Sequence, residues 1–431
     1  MASDLKVLHV NTLDQGGAAN ACIRLHKSLL DLHVDSKLLV RKKTKNIPQS
    51  FLFRPSSRWD KAMLRARKVL HELKLVDDPT RNRQERAQQQ FKKKLPPGSE
   101  YFSFPESAAD ITSSAVYRES DIIHLHWVAD FLDYPSFFRL NKKPVIWTLH
   151  DMGPFQGGIH YEEKFQGMTD AGGQKENEML GSLRQTLEHN LAIKIKALSD
   201  VKDLHIVAPS RWLTECSKGS ALFKRFPHST IPYGLDTTIF APRDKRYSRE
   251  LLGMPVDKTC LLFVADNLQN HRKGFAFLQR ALTELNANDV ELCAIGLKKG
   301  DIPNSNVRFL GRIEDERMMS VAYSAADAFI IPSVEDNLPN TVLESLLCGT
   351  PVIGFPVGGV VDMVEHGHNG LLCDRITADA LKDTIFKFLK NTRMFDSADI
   401  RRKASEKYNL RVQANAYLGL YTQIKSVVNK G

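Results

Sequence analysis

The chain has 431 residues, a formal net charge of +10 at pH 7 and a hydrophobic content of 42%. This length is too great for one ordinary core and predicts two or three domains. No apolar run reaches the roughly 20 residues that a membrane-spanning helix needs, which excludes a transmembrane protein. The first residues, MASDLKVLHVNTL, enter a strand pattern without the basic and apolar regions of a signal peptide. We therefore expect a cytoplasmic protein.

Composition also limits the partners. The six cysteines form no Cys-x-x-Cys pair, so we expect reduced, structural thiols and no zinc site. The basic excess is concentrated in residues 58–94. This segment reads either as a solvated basic helix or as a helix that lies on anionic lipid at the inner face of a membrane. The chain contains no nucleic-acid-binding motif, and we do not expect nucleic acid as a partner.

Short apolar runs alternate with helical patterns along the first half of the chain. The segment Asn20 to Leu32 has helical periodicity. The expected strands are Leu5 to Val10, Ser36 to Val40, Asp121 to Trp127, Pro144 to His150 and Leu204 to Ser210. Continuous apolar strands between helices predict a parallel sheet that is covered on both faces.

The alternation stops at a segment rich in proline and glycine and then begins again. Strands are expected at Thr259 to Asp266, Val290 to Gly296, Val307 to Gly311, Ala328 to Ser333 and Pro351 to Phe355. The pattern predicts a first α/β domain over 1–230, a linker over 231–242 and a second α/β domain over 243–408. A last helix, over 409–431, is expected to cross back to the first domain. Two doubly wound domains would face each other across a cleft that binds a small molecule.

Two motifs of the first domain follow expected strands. Gly16 and Gly17 lie between a strand and a helix, where glycine lets backbone approach a ligand closely and a helix start attracts an anion. His150 and Asp151 lie at a strand end and are expected to face the cleft. His124 and His126 alternate along one strand and suggest a metal, but without a third ligand nearby we expect packed, hydrogen-bonded histidines.

In the second domain, cations and acids follow neighbouring runs. Arg272 and Lys273 precede a glycine at a helix start, and both side chains bind phosphate well. The stretch SVEDNLPNTVLESLLCGTPV places Asp336 in a loop and Glu344 one turn inside a helix. The N–H groups of this helix start would meet phosphates, with Glu344 on a ribose and Asp336 at a sugar.

These segments resemble the retaining GT-B glycosyltransferases of family four, and within that family the enzymes that build surface polysaccharides such as colanic acid. The matching stretches, in chain order, are GGAAN, TLHD, PSRWL, IPYGLDTTIF, RKG, EDNLPNTVLESLLCGTPV and GGVVDMVEHGHNGLL. The resemblance covers nearly the whole chain and implies two Rossmann-like domains.

The resemblance also implies a role for each matching residue. His150 and Asp336 would act at the transferred sugar as the catalytic residues. The implied donor-binding residues are Gly16, Gly17, Arg272, Lys273, Gly311, Arg312, Asn337, Leu338, Pro339, Asn340, Thr341, Val342 and Glu344. No metal or other cofactor is implied.

The sequence departs from the family pattern in four features. Asp336 stands where glutamate is usual, and Asn337 to Pro339 replace a Gly-Phe-Gly loop. Asn267 aligns with a phosphate-binding arginine, and Tyr233 with an asparagine. Because the cation pair and Glu344 remain, these departures indicate variation within the family.

The implied function is transfer of a hexose from a UDP- or GDP-sugar, with retention, to a hydroxyl of a lipid-linked or polysaccharide acceptor in surface glycan biosynthesis. Two alternatives stay open. One is a sugar-nucleotide 2-epimerase with the same fold. The other is a non-enzymatic nucleotide-sugar-binding partner subunit, which the altered loop after Asp336 would suit.

Overall fold

The computed structural model describes residues 5–54, 83–95, 101–161, 174–285, 288–297 and 307–428, in two compact units. Unit 1 comprises Met1–Ala208, Thr214–Thr230 and Tyr417–Gly431, and unit 2 comprises Pro209–Leu213 and Ile231–Ala416. The division differs in detail from the expected domains. The expected linker 231–242 belongs to unit 2, and the chain returns to unit 1 at Tyr417 rather than at residue 409.

Unit 1 is built on a parallel sheet whose seven strands in the described residues follow the order β3-β2-β1-β4-β5-β6-β7. The strands are β1 (Lys6–Leu13), β2 (Asp35–Lys42), β3 (Ser50–Leu52), β4 (Ile122–Leu125), β5 (Val145–Thr148), β6 (Leu204–Ala208) and β7 (His228–Thr230). Every residue of β4 and β5 is buried, as expected of strands covered on both faces.

The helices of the first half are α1 (Gly17–Asp31), α2 (Arg83–Lys94), α3 (Ala115–Glu119), α4 (Tyr134–Leu140), α5 (Gln174–Leu198) and α6 (Arg211–Gly219). Two short helices of the first half begin where side chains cap their free N–H groups. The Ser114 hydroxyl accepts from the N–H of Tyr117 at the start of α3. In the same way, the Asp133 carboxylate accepts from the N–H of Ser136 at the start of α4.

Unit 2 repeats the arrangement with a six-stranded parallel sheet in the order β10-β9-β8-β11-β12-β13. Its strands are β8 (Thr259–Asn267), β9 (Val290–Leu297), β10 (Val307–Gly311), β11 (Ala328–Ile331), β12 (Val352–Gly354) and β13 (Gly370–Leu372). Its helices are α7 (Lys245–Leu251), α8 (Phe275–Leu285), α9 (Glu316–Ala325), α10 (Asn340–Leu347), α11 (Val360–Met363), α12 (Ala378–Lys390) and α13 (Ser397–Tyr408). The prediction of two doubly wound parallel sheets is confirmed.

The last helix, α14 (Leu410–Val428), contributes residues to both units. The Tyr417 and Tyr421 side chains are fully buried in unit 1. Their hydroxyls lie 2.7 Å from the Thr148 hydroxyl and 2.6 Å from His124 Nδ1, respectively. The C-terminal residues thus complete the core of unit 1.

The basic segment 58–94, for which a solvated helix and a lipid-bound helix were both open, lies mostly outside the described residues. Of residues 58–94, only α2 is described. Within the described part of the chain, every helix is too short or too polar to cross a membrane. All six cysteines are free thiols.

Candidate functional site

In each sheet the strand order reverses at one point, and in unit 2 this point lies between β8 and β11. Parallel α/β sheets bind ligands at such a point, beyond the carboxyl ends of the strands. The chain after β8 forms a single 3₁₀ turn over His271–Lys273, and the chain after β11 leads through a loop to α10. The expected cations and acids occupy these two connections.

The two connections are joined by direct contacts. The N–H of Val334 donates to the Arg272 carbonyl at 2.9 Å. Arg272 Nη1 donates to the Glu335 carbonyl at 2.8 Å and lies 3.4 Å from Asp336 Oδ1. Lys273 Nζ lies 2.6 Å from Asp336 Oδ2. Two cations and one carboxylate therefore form a compact cluster, called the Asp336 cluster below.

The two cations of the Asp336 cluster differ in exposure. The Arg272 side chain is 8% exposed and that of Lys273 is 25% exposed. Arg272 thus acts mainly as a clamp that holds the loop after β11. Lys273 is the cation that a phosphate in solution can reach.

Asp336 contacts both cations of the cluster directly. A buried carboxylate needs opposite charge nearby, and Asp336 is buried. Burial raises the pKa of this carboxyl, but the charges of Lys273 and Arg272 and hydrogen bonds from Lys273 and Ser333 outweigh burial. The pKa of Asp336 is therefore lowered.

Three glycines allow the loops to approach this closely. At Gly274, where φ is +70°, a Cβ would lie 1.7 Å from the Pro332 carbonyl oxygen. A Cβ at Gly358 would lie 1.8 Å from the backbone carbonyl oxygen of Asp336. A Cβ at Gly359 would lie 1.7 Å from the backbone carbonyl oxygen of Asn337. Gly358 and Gly359 were not among the predicted site residues, although GGVVD was part of the resemblance.

We predict that Gly359→Ala lowers the free energy of unfolding of unit 2 by about 1–3 kcal/mol, because the added methyl group forces the Asn337 backbone away. Thermal unfolding measures the loss. Gly419→Ala is the matched control, since a Cβ at Gly419 meets no atom within 4 Å. Equal melting temperatures for Gly359→Ala and the unsubstituted protein would show that the contact is not needed.

The rest of the expected loop is packed rather than open. The Ser210 hydroxyl donates to Asn337 Oδ1 at 2.6 Å, and both residues are buried. Leu338 is also buried, and Pro339 precedes α10 without a side-chain hydrogen bond to its first turn. The side chain of Asn337 is therefore structural, and any sugar contact of this loop would use its backbone.

The start of α10 supplies the remaining expected groups. Asn340 and Thr341 begin the helix, and the N–H of Val342 already donates to the Pro339 carbonyl at 3.1 Å. Glu344 is buried, and its Oε2 accepts from the Tyr323 hydroxyl at 3.0 Å. Tyr323, on α9, fixes the Glu344 carboxylate and was missed by sequence reasoning because it lies 21 residues away.

Two residues expected near the base lie on the surface. Gly311 ends β10 with φ +75°, and no atom lies within 4 Å of an added Cβ. Arg312 Nη2 lies 3.1 Å from Glu314 Oε1, and both side chains are more than half exposed. Neither residue contacts the Asp336 cluster through a described hydrogen bond or ion pair.

Asn267 stands where the resemblance places a phosphate-binding arginine. It ends β8, and its side-chain oxygen accepts from the N–H of Gln269 at 3.2 Å. The position thus shapes the turn that leads to Arg272.

Unit 1 holds the other expected residues. Gly16 has φ +95° and precedes α1, which begins at Gly17, and both glycines are exposed. His150 follows β5 and is 8% exposed. It lines a cavity of about 20 Å³, enough for about one water molecule. Burial lowers the pKa of His150 to about 4, although the Asp151 charge partly opposes this shift.

Behind His150 lie further buried histidines. His126 Nδ1 is 3.2 Å from His150 Nε2, and His126 Nε2 is 2.9 Å from His9 Nδ1. Nitrogen atoms of His9, His124 and His126 lie within 4.8 Å of one another. The third histidine that the sequence did not reveal is therefore His9, which pairs with His124 across adjacent strands β1 and β4.

Asp151 is buried beside His150. Its Oδ2 lies 2.7 Å from His160 Nδ1 and accepts from Trp127 Nε1 at 2.9 Å. The Ser103 hydroxyl lies 2.9 Å from His160 Nε2. Ser103, His160 and Asp151 thus share the connectivity of a nucleophilic triad, but all are buried and the adjoining cavity is too small for a substrate.

A buried lysine completes the wall of this cavity. Lys194 Nζ donates to the carbonyls of Gly153 and Gln156 at 2.6 and 2.7 Å. Burial lowers the pKa of Lys194 to about 7, and the charge of Asp151 opposes the shift. The lysine holds the loop after His150 in place.

Solved structures identify the architecture. Sucrose-phosphate synthase from Thermosynechococcus elongatus superposes with a TM-score of 0.66 at 18% identity, covering 98% of this chain and 100% of that one. HepE of Anabaena, in complex with UDP and glucose, superposes with a TM-score of 0.63 at 16% identity, covering 97% and 99%. The fold is GT-B. At these identities the GT-B likeness establishes the fold alone.

Sequence comparisons relate part of unit 2 to glycosyltransferases. Residues 258–391, from just before β8 through α12, match the family model described as Glycosyl transferases group 1. D-inositol 3-phosphate glycosyltransferase 2 of Catenulispora acidiphila is 31% identical over 169 residues, which are 33% of this chain and 38% of that protein. D-inositol 3-phosphate glycosyltransferase of Thermobispora bispora is 25% identical over 288 residues, 61% of each chain. The chain spans between 36% and 61% of the length of the first three curated relatives.

Proposed function

We propose that the chain is a retaining glycosyltransferase that moves a hexose from a UDP- or GDP-hexose to a hydroxyl group. The observation that carries the proposal is the Asp336 cluster, which lies at the strand-order reversal of unit 2 and inside the region that matches Glycosyl transferases group 1. The UDP and glucose bound by HepE, a protein of the same fold, support a nucleotide-sugar as the ligand.

Donor binding follows from the charges around the loop after β11. Lys273 would contact the diphosphate, because its ammonium group is partly exposed while Arg272 is held against the loop. The first turn of α10 would contribute N–H groups, since Pro339 supplies no side-chain hydrogen bond there. Glu344, oriented by Tyr323, would accept a hydrogen bond from a ribose hydroxyl.

The proposed reaction exchanges one bond at the anomeric carbon. The bond between this carbon and the diphosphate oxygen breaks, and the acceptor oxygen bonds to the same face of the sugar. The acceptor hydroxyl proton passes to the departing diphosphate. Lys273 stabilises the negative charge that grows on the diphosphate, and His150 donates a hydrogen bond at the sugar. The proposal assigns no resident metal or other cofactor.

Two classes of acceptor are in question. The sequence resemblance favours a lipid-linked or polysaccharide hydroxyl, used at the inner face of a membrane. The names of the curated relatives favour an inositol phosphate. A transfer assay with both classes of acceptor decides between them.

We predict that Lys273→Ala weakens binding of UDP or GDP by about 10- to 100-fold, the worth of one hydrogen bond to a charged group. Titration calorimetry of the full chain measures the change. Lys245→Ala is the matched control, because Lys245 also pairs with a carboxylate of unit 2, Asp327, at 2.9 Å. Unchanged affinity in Lys273→Ala would contradict the diphosphate assignment.

Product analysis separates the proposed activity from the two alternatives. A product heavier than the acceptor by one hexose supports the transferase. A donor converted to an isomer of equal mass identifies an epimerase. Tight binding of UDP or GDP without any product, across both acceptor classes, identifies a binding subunit.

A further inference from the structure

The hydrogen bonds between the buried histidines have a direction, and that direction fixes the proton of His150. His9 Nδ1 faces His126 Nε2 at 2.9 Å, and His126 Nδ1 faces His150 Nε2 at 3.2 Å. A neutral imidazole carries one N–H and one lone pair. In such a row, the proton position on the first ring therefore determines the positions on the next two.

Only one position of the ring proton is acceptable for His9, the first ring of the row. Its other nitrogen, Nε2, is buried and has no hydrogen-bond partner among the described residues. A buried N–H without a partner is rarer and costlier than an unused acceptor. The proton of His9 therefore sits on Nδ1 and is donated to His126.

The remaining rings follow from this choice. His126 accepts at Nε2, so its own proton sits on Nδ1 and is donated to His150 Nε2. His150 must then carry its proton on Nδ1. Burial lowers the pKa of all three histidines, and each ring stays neutral near pH 7.

We propose that His9 and His126 are positioning residues that hold His150 as the Nδ1–H tautomer. In this tautomer His150 accepts from His126 at Nε2 and carries its hydrogen-bond donor at Nδ1. The tautomer follows from the contacts of the row and does not rest on the proposed function.

A metal ion bound by His9, His124 and His126 is the competing explanation of the same cluster. Such an ion needs a lone pair from each ring. His9 Nδ1 and His126 Nε2 instead lie at hydrogen-bonding distance, and both nitrogens of His124 face hydroxyls, those of Tyr421 and Thr148. The observed contacts therefore favour hydrogen bonds over metal ligation.

The test is nitrogen NMR of the full chain with ¹⁵N-labelled histidine, in which protonated and unprotonated ring nitrogens have distinct shifts. His150→Phe assigns the His150 signals. We expect Nδ1–H in the unsubstituted protein and a shift of the proton toward Nε2 in His9→Phe. An Nε2–H form of His150 in the unsubstituted protein, or no change in His9→Phe, would overturn the proposal.

Two further variants separate positioning from mere damage to the core. In His126→Asn, the amide N–H₂ replaces the Nδ1 donor, so the Nδ1–H form of His150 should persist, whereas His126→Phe should lose it. His228→Phe is the control, because His228 lies in the same unit but contacts the Ser217 hydroxyl and the Phe226 carbonyl instead. It should leave the His150 signals unchanged, and a His228→Phe effect equal to that of His9→Phe would refute positioning.

Metal content and activity complete the test. One equivalent of zinc or another transition metal that is lost in His9→Phe would overturn the proposal in favour of the metal.

If the chain is a transferase, His9→Phe should slow turnover about tenfold, the worth of one hydrogen bond. UDP affinity should stay the same. Failure to find any transfer would count against the proposed function and would leave the NMR result standing.

Discussion

Replacement of His150 by alanine is expected to slow the proposed hexose transfer by about 10²–10³-fold. This is the usual cost of removing one preorganised hydrogen-bond donor from an active site. The side chain is 8% exposed, and its ring is held by His126. A hydrogen-bond donor that is fixed in such an environment needs no reorganisation when charge develops on the ligand. Affinity for UDP should not change, because the proposed nucleotide contacts all lie in unit 2. Single-turnover rates and calorimetry measure the two quantities.

A second histidine of unit 1 provides the control for His150→Ala. His205 is half-buried on β6 and contacts the Ser229 hydroxyl at 2.9 Å, away from the row of His9, His126 and His150. His205→Ala should retain full transfer. If His150→Ala also retains full transfer, His150 has no catalytic role, and loss of UDP affinity in this variant would show that its defect is not confined to unit 1.

Unit 1 is expected to lose about 5 kcal/mol of its free energy of unfolding between pH 7.5 and pH 5.5. Burial keeps four histidines neutral in the folded state: the pKa of His150 is lowered to about 4, and those of the other three lie well below 6.5. The unfolded chain takes up these protons below pH 6.5, and the folded chain does not. Stability is therefore full above pH 6.5 and falls as the pH drops toward the folded values.

Urea unfolding followed by circular dichroism at the two pH values measures this loss. Each histidine contributes roughly 1.4 kcal/mol at pH 5.5, so His126→Phe should reduce the loss by about a quarter. Since whole domains are stabilised by only about 5–15 kcal/mol, the effect should be visible as partial unfolding. Equal stability at both pH values would mean that the histidines are not buried and neutral.

The sequence predicted the regular elements well where their patterns were long. The bounds expected for β10 agree with the structure, because its apolar run ends at Gly311. The strands β3, β7 and β13 were missed. Each has three residues, too few to show a period, and each lies at the edge of its sheet, paired with one neighbouring strand.

The candidate site was predicted in composition but not in its contacts. Arg272, Lys273 and Asp336 were recognised by residue type, yet their pairing depends on β8 lying beside β11, which local patterns do not encode. His9 was missed for the same reason, since it meets His126 across 117 positions of sequence. The roles of Gly358 and Gly359 follow only from the backbone atoms they touch.

The burial of Tyr417 and Tyr421 has a consequence for the order in which the protein is made. These phenols meet Thr148 and His124, which the ribosome adds some 270 to 300 residues earlier. Until the final helix emerges, the Thr148 and His124 side chains lack these two partners and are not covered by the phenol rings. The core of unit 1 is therefore incomplete until the last helix has been synthesised. A truncation before residue 417 removes part of this core rather than a dispensable tail.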